Sequence, residues 1–576
     1  QLWNRHSLDN SDVTFGSVDT TATIGVQDTG SNTTVDFTSD VLDGDDDTVN
    51  VALDGADGGD VTVDTDGAEA VDVASSGDEA NELGMVDGGT ATALTITGDQ
   101  DLKIGSTNND FETVDASNFD AALTADISSA ANNTDITVTG SAQDDSFTTS
   151  DTDDNDTIDG GDGEDTVSAT GDFGAVLENV EELTLDQQND IVSADLANAQ
   201  DVETLQVNAN GDINGLDLSS LPDDPTVAIA NDANTALAQG ASSNNSILLE
   251  EASGSSDELT LDFSGNGTVN TSNGLNIGEV ETLNLVADST LNLDKAFQED
   301  GSNTTTTVLE EINIAGSEDV TISNQLANAE LVIDASDLSG NLSASGSDDI
   351  TGGEVLSITG GAGNDTIDVS GISGSKDHTI SGGAGNDSLT GGSGAETISG
   401  GAGIDTLTGG AGDDTLSGGA GSDTLQGDGG NDDMTGGAGA DTFKIDTAAD
   451  ATTTFSVTDN GGTGTDDGDV ISFGSGVEII RDFADGTDTL NLAVAGSSLS
   501  DTSLDTAASG GDLGLDENFG TVRGDFDEDA GEFTVASDGD DLVAAYDNNS
   551  ATSTDVTEVF VLESAGGSTI DTSDIA

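Results

Sequence analysis

The sequence predicts an all-β protein built largely from parallel solenoid coils. Three observations lead there. Nonapeptides of nearly constant composition run in tandem from Gly382 to Lys444. Short runs of alternating apolar and polar residues recur along the chain, as in VTVD (61–64), LTITG (94–98) and LNLVA (283–287). Helical periodicity is scarce, with SADLANAQ (193–200) as its best candidate. Alternation places every second side chain on one face of a strand. Tandem short units bury their apolar residues only by stacking on their neighbours.

The nonapeptides are GGAGNDSLT, GGSGAETIS, GGAGIDTLT, GGAGDDTLS, GGAGSDTLQ, GDGGNDDMT and GGAGADTFK. An upstream copy, GGAGNDTID (360–368), is separated from them by a longer, degenerate unit around GSKDHTIS (374–381). A smaller cluster lies near the front: GSAQDDSFT (140–148), DTDDNDTID (151–159) and GGDGEDTVS (160–168). A second theme sets a Glu before alternating apolar residues, in VEELTL (180–185), VETLQV (202–207), VETLNL (280–285) and LEEINI (309–314). Two architectures account for it: rungs of an irregular parallel β-solenoid, or the strands of a β-sandwich. Irregular spacing between copies favours the first. Residues 446–468, rich in Thr, Asp and Gly, read as a linker. Strand-like sequence resumes at VEIIRDFADGTDTLNLA (477–493) and TEVFVLE (557–563).

Composition narrows the partners. There are 116 acidic residues against 7 basic ones, a formal net charge of -109. No basic patch exists to meet phosphates, which excludes nucleic acid, and no apolar run reaches membrane-spanning length. Divalent cations are the natural counterions, although a salt-adapted surface would be acidic too. Low hydrophobicity with high charge is also the composition of a disordered chain; the regular strand signals speak against that. Cysteine is absent and the two histidines, His6 and His378, are isolated, so neither thiolate nor His-based zinc sites are expected.

One large apolar residue per nonapeptide buries too little surface to offset the ordering of a glycine-rich chain. A ligand must bind the folded form. In GGxGxD the glycines permit turns that direct carbonyl oxygens inward, and the Asp adds a charged oxygen. Six or more hard oxygens suit Ca²⁺, whereas Mg²⁺ demands a tighter octahedron. The last three positions form a minimal strand whose central residue faces in: Leu389, Ile398, Leu407, Leu416, Leu425, Met434 and Phe443. Two nonapeptides make one coil, so each unit stacks on the one two repeats away.

The tandem GGxGxDxUx pattern resembles the RTX (repeats-in-toxin) family, whose repeats form a calcium-bound parallel β-roll. The resemblance implies calcium ligation by Asp365, Asp387, Asp405, Asp414, Asp423, Asp432 and Asp441. It extends to the first-position glycines Gly360, Gly382, Gly400, Gly409, Gly418 and Gly436. Asp145, Asp156 and Asp165 take the same position in the front cluster, where two of three units lack the glycine pair, so an acidic surface loop is an equal reading there. Glu396 replaces the Asp of the second unit, and Asp428 the second Gly of the sixth. The chain then divides into a β-rich region (1–139), a short RTX-like cluster (140–170), and a solenoid-like region with VExLxL rungs (171–342). After these come the RTX β-roll (343–445), the linker (446–468) and a β-rich C-terminal domain (469–576). That last domain ends in a segment similar to type I secretion signals, which implies export without an N-terminal signal peptide.

An enzyme needs a site, and neither HExxH nor GxSxG occurs; one Trp and one Tyr give little for sugar stacking. The expected protein is therefore not an enzyme. Its middle region resembles RTX-type surface-layer proteins. That resemblance implies a secreted, calcium-dependent structural protein that assembles with itself on the cell surface into a lattice or filament. Copies would meet through calcium-bridged carboxylates, with cell-surface polysaccharide as a second partner class. An RTX adhesin or biofilm-matrix protein is the alternative.

Overall fold

Parallel pairing dominates the structure, a computed structural model. It describes residues 47–56, 68–87, 91–107, 111–128, 135–150, 155–170, 173–187, 201–209, 280–293, 309–323, 331–346, 355–372 and 376–445 without a break. Elsewhere it describes shorter strand segments, the last being Glu558–Leu562. The chain forms two compact units, residues 1–289 with 297–306, and residues 290–296 with 307–576.

In the first unit, coils stack so that like positions pair in register. Phe147, Val167, Leu183, Leu205, Val227, Leu261 and Leu285 form one inward file. Val49, Val71, Leu94, Val114, Val138, Ile158 and Leu177 form another on the opposing sheet. All are buried. Parallel, in-register pairing of successive coils is the solenoid arrangement; a sandwich would pair neighbours antiparallel.

The second unit continues the design. Ile333, Ile358, Ile380, Ile398, Leu416 and Met434 stack in one file. Ala344, Ile367, Leu389, Leu407, Leu425 and Phe443 stack in the other. Thr397 pairs with Thr415, and Thr406 with Thr424, so one coil spans two nonapeptides. All seven central residues named from sequence are buried. After the roll, Val477–Ile480 adds in parallel to Asp433–Ala438. Phe519–Asp527, Glu532–Val535, Asp541–Tyr546 and Glu558–Leu562 then pair antiparallel.

Two local readings change. Val192–Asp195 is a strand, so SADLANAQ does not begin as a helix. Phe455–Thr458, inside the expected linker, is a strand paired with Val470–Phe473. Residues beyond Leu562, read as a secretion signal, lie outside the described residues, as does His6.

Each unit also carries a version of one segment. TVDASNF (113–119) corresponds to VIDASDL (332–338), and ITVTGSAQDDSFTTS (136–150) to LSITGGAGNDTIDVS (356–370). Their hydrogen bonds agree as well as their sequences do. The Ser117 amide donates to Asp115 Oδ1 and the Ser336 amide to Asp334 Oδ1. Both first strands pair with the preceding coil through a register shift, at Thr95/Thr97 and at Asn313/Ala315.

Candidate metal centre

The aspartate of each nonapeptide sits where its turn enters the strand, and it faces inward. Asp365, Asp387, Asp405, Asp414, Asp423, Asp432 and Asp441 are all buried, as are Asp145, Asp156 and Asp165. One carboxylate oxygen of each aspartate accepts a backbone amide from the preceding coil. Asp387 Oδ1 takes the Asp365 amide (2.7 Å), Asp405 Oδ1 that of Asp387 (2.9 Å), and Asp423 Oδ1 that of Asp405 (2.9 Å). Asp441 Oδ1 takes the Asp423 amide (2.9 Å). A second column runs from Glu396 to Asp414 (2.7 Å) and from Asp414 to Asp432 (2.8 Å).

The other oxygen is the informative one. Oδ2 of Asp165, Asp387, Asp405, Asp414 and Asp423, and Oε2 of Glu396, are buried and receive no hydrogen bond. An unpaired buried acceptor costs about 1–3 kcal/mol, and more when charged. These oxygens recur beside the first glycine of the turn. A Cβ on Gly400 would lie 2.5 Å from Asp405 Oδ2 and 2.7 Å from the Gly418 carbonyl oxygen. On Gly418 it would lie 2.6 Å from both Asp423 Oδ2 and the Gly436 carbonyl oxygen. Gly360, Gly382 and Gly409 hold the equivalent pairs, and at Gly436 the Asp441 Oδ2 takes the same place. Gly360, Gly382, Gly400, Gly409 and Gly418 therefore each leave room for a carboxylate oxygen and a carbonyl oxygen from the next coil.

Burial sets the electrostatics. It pushes the carboxyls of Asp387 and Asp165 up to about 6, despite the amides they accept. Asp365, Asp405, Asp423 and Asp145 move the same way for the same reason. Glu396 rises to about 7, first by burial and then through the facing charge of Asp414, itself raised to about 6 by burial. The ion pairs among the described residues, Lys103–Glu82 and Arg481–Asp433, involve none of Asp387, Asp405, Asp414, Asp423 and Glu396.

This donor set fits calcium. It is oxygen only, mixes carboxylate with backbone carbonyl, and leaves Oδ2 of Asp165, Asp387, Asp405, Asp414 and Asp423 uncommitted. Among the described residues no three His, Cys, Asp or Glu side chains converge on one point. Ligation would rest on Asp Oδ2 atoms and glycine carbonyls of stacked turns. The bound ion would supply the positive charge that keeps these carboxylates ionised.

The front cluster is built alike. Asp145 Oδ1 accepts the Leu123 amide as Asp365 Oδ1 accepts that of Leu342, both at 2.7 Å. Asp165 Oδ1 accepts the Asp145 amide (2.7 Å), and Asp156 Oδ1 accepts that of Ile136 (2.9 Å). A Cβ on Gly140 would meet Asp145 Oδ2 at 2.6 Å, and one on Gly160 would meet Asp165 Oδ2 at 2.5 Å. The lost glycine pairs are thus partly replaced: Ser141 stands where Gly361 does, and the Ser141 amide still donates to Asp145 Oδ2. In the sixth unit of the roll Asp428 adopts φ +69°, the left-handed region its neighbours reach with glycine.

Two functional positions escape a reading by motif. Glu181, first acid of VEELTL, accepts the Asp165 amide through Oε2 (2.7 Å), so the VExLxL rung is a nonapeptide rung with Glu for Asp and no glycine turn. The signal was present as acid–Thr–apolar in both DTLT and VETLQV. His378 stands at the aspartate position of the degenerate unit, in register with Glu396.

Residues 137–167, 150–173, 357–371, 374–407 and 408–443 match the family of RTX calcium-binding nonapeptide repeats (4 copies). No curated protein matches the chain. The matched stretches leave most of the 576 residues uncovered. Proteins with such repeats are typically secreted and bind calcium. Residues 137–173 and 357–443 of this chain thus carry nonapeptide repeats of the RTX calcium-binding kind, folded as a parallel β-roll.

Proposed function

We propose that this is a secreted structural protein that calcium folds and then joins to copies of itself at the cell surface, in a lattice like a surface layer or in a filament. One observation carries the reading: buried carboxylate oxygens without donors recur coil after coil in a chain of net charge -109. Such a chain repels its own coils and its neighbours until divalent ions intervene. Calcium bound inside the roll removes the first repulsion. Calcium shared between exposed carboxylates of two copies removes the second, with cell-surface polysaccharide as a further anionic partner. The role is read as structural rather than enzymatic, because the buried acids already serve the amide ladder and neither HExxH nor GxSxG occurs.

The test is a calcium titration of the purified chain, followed by circular dichroism and by electron microscopy of the same samples. β-structure and ordered sheets or filaments should appear together. Folding into monodisperse monomers that never assemble would overturn the lattice and leave an adhesin as the reading.

A further inference from the structure

His378 occupies the place of a calcium ligand without the chemistry of one. Its carbonyl accepts the Thr397 amide as that of Asp387 accepts the Thr406 amide. Its ring is buried and Nδ1 accepts the Leu356 amide at 3.1 Å, as Asp365 Oδ1 accepts that of Leu342. Asp387, Asp405 and Asp423 accept an amide from the preceding coil through one oxygen and keep the second buried and without a donor. A neutral imidazole that accepts through Nδ1 must carry its proton on Nε2. Both ring nitrogens are then committed, and no lone pair remains for any metal.

The next turn in the column agrees. Where aspartates place Oδ2 beside the first glycine, Glu396 places only its Cγ there, 3.3 Å from a Cβ on Gly391. Its carboxylate has crossed the turn, and Oε1 accepts the Gly394 amide at 3.2 Å. A Cβ on Gly392 would lie 3.6 Å from that oxygen and 3.9 Å from His378 Cδ2. The interval between these two turns therefore offers a protonated ring edge and a carboxylate already engaged by its own loop. On the far side Glu396 faces Asp414, and two carboxylates still meet.

We propose that His378 excludes calcium from its turn and closes it by hydrogen bonds alone. In this column the first ion then lies between Glu396 and Asp414. The inference rests on the calcium reading of the neighbouring turns.

The experiment compares the full chain with H378D by equilibrium dialysis against saturating calcium, with circular dichroism to confirm folding. H378D is expected to bind one more calcium ion per chain. Unchanged stoichiometry in a folded H378D overturns the proposal, whereas an unaltered chain that binds no calcium overturns the calcium reading itself. A second measurement needs no variant. In the ¹⁵N-labelled chain loaded with ¹¹³Cd in place of calcium, the His378 ring should show the Nε2–H tautomer and no coupling to cadmium. A ¹¹³Cd–¹⁵N coupling at that ring overturns the proposal.

Discussion

The backbone amide of Asp405 donates to Oδ1 of Asp423, 2.9 Å away and one coil further on. The same carboxylate holds its Oδ2 buried and without a donor. At Asp387, Asp405 and Asp423 one oxygen thus ties coils together, and the other is left for a cation.

These functions separate by substitution. Asp423→Asn keeps an acceptor oxygen and loses the charge, so it should raise the calcium needed for folding while the calcium-free chain is no less stable. Asp423→Ala also leaves the Asp405 amide unpaired and should cost about 1–3 kcal/mol beyond the calcium effect. Calcium titrations followed by circular dichroism, together with urea unfolding, distinguish the two.

Gly400→Ala sets a methyl group 2.5 Å from Asp405 Oδ2 and 2.7 Å from the Gly418 carbonyl oxygen. Crowding of this order costs about 1–3 kcal/mol. The variant should also bind less calcium than the parent chain, as equilibrium dialysis would register.

Leu416 is fully buried between Ile398 and Met434. Its truncation to Ala should destabilise the roll by about 2–5 kcal/mol. Because the roll has one such side chain per nonapeptide, the loss should appear as a higher calcium midpoint rather than a local defect.

Proton binding should partly replace calcium. In the roll, Asp387 and Asp414 titrate near 6 and Glu396 near 7, above ordinary values of 3.8 and 4.5. The folded state then binds more protons than the unfolded one, so stability of the calcium-free roll is fullest below about pH 4 and is lost as pH rises through 6 and 7. Circular dichroism in chelator should show more β-structure at pH 5 than at pH 8. Calcium added at pH 6 should release protons.

Arg481 grips Asp433, with Nε 2.5 Å from Oδ1 and Nη2 2.6 Å from Oδ2, while its amide donates to the Met434 carbonyl. Both side chains are about a third exposed, 32% and 31%, so Arg481→Ala should cost only about 0.2–1 kcal/mol. Faster hydrogen exchange at the Ile479 and Arg481 amides, with the roll unchanged, is the expected signature.

Much of the roll was legible because its residues do one thing each: Leu407 fills the core, Asp405 faces in, and Gly400 clears space. What stayed hidden lay where two spellings serve one geometry. Glu181 and Asp165 stack in one ladder, yet one belongs to VEELTL and the other to GGDGEDTVS. A Glu carries its carboxylate one methylene further, so no glycine turn needs to draw the backbone in, and the sequence around it loses the repeat. Correspondence between 113–150 and 332–370 was masked likewise, because Ser141 and Gln143 stand where Gly361 and Gly363 do. His378 was obscured by the longer unit that carries it; the hydrogen bonds from Leu356 and Thr397 identify its position.

Every amide named in these ladders points from an earlier coil to an acceptor in a later one, the His378 ring for Leu356 and a carboxylate for the others. The two ends of the stack are therefore unlike. Deleting coils from the early side leaves the first remaining carboxylate with both oxygens free in water, which costs little. Deleting from the late side leaves an amide that only water can accept. A piece grafted onto the roll therefore joins its early end by bringing a donor amide and its late end only if it brings an acceptor.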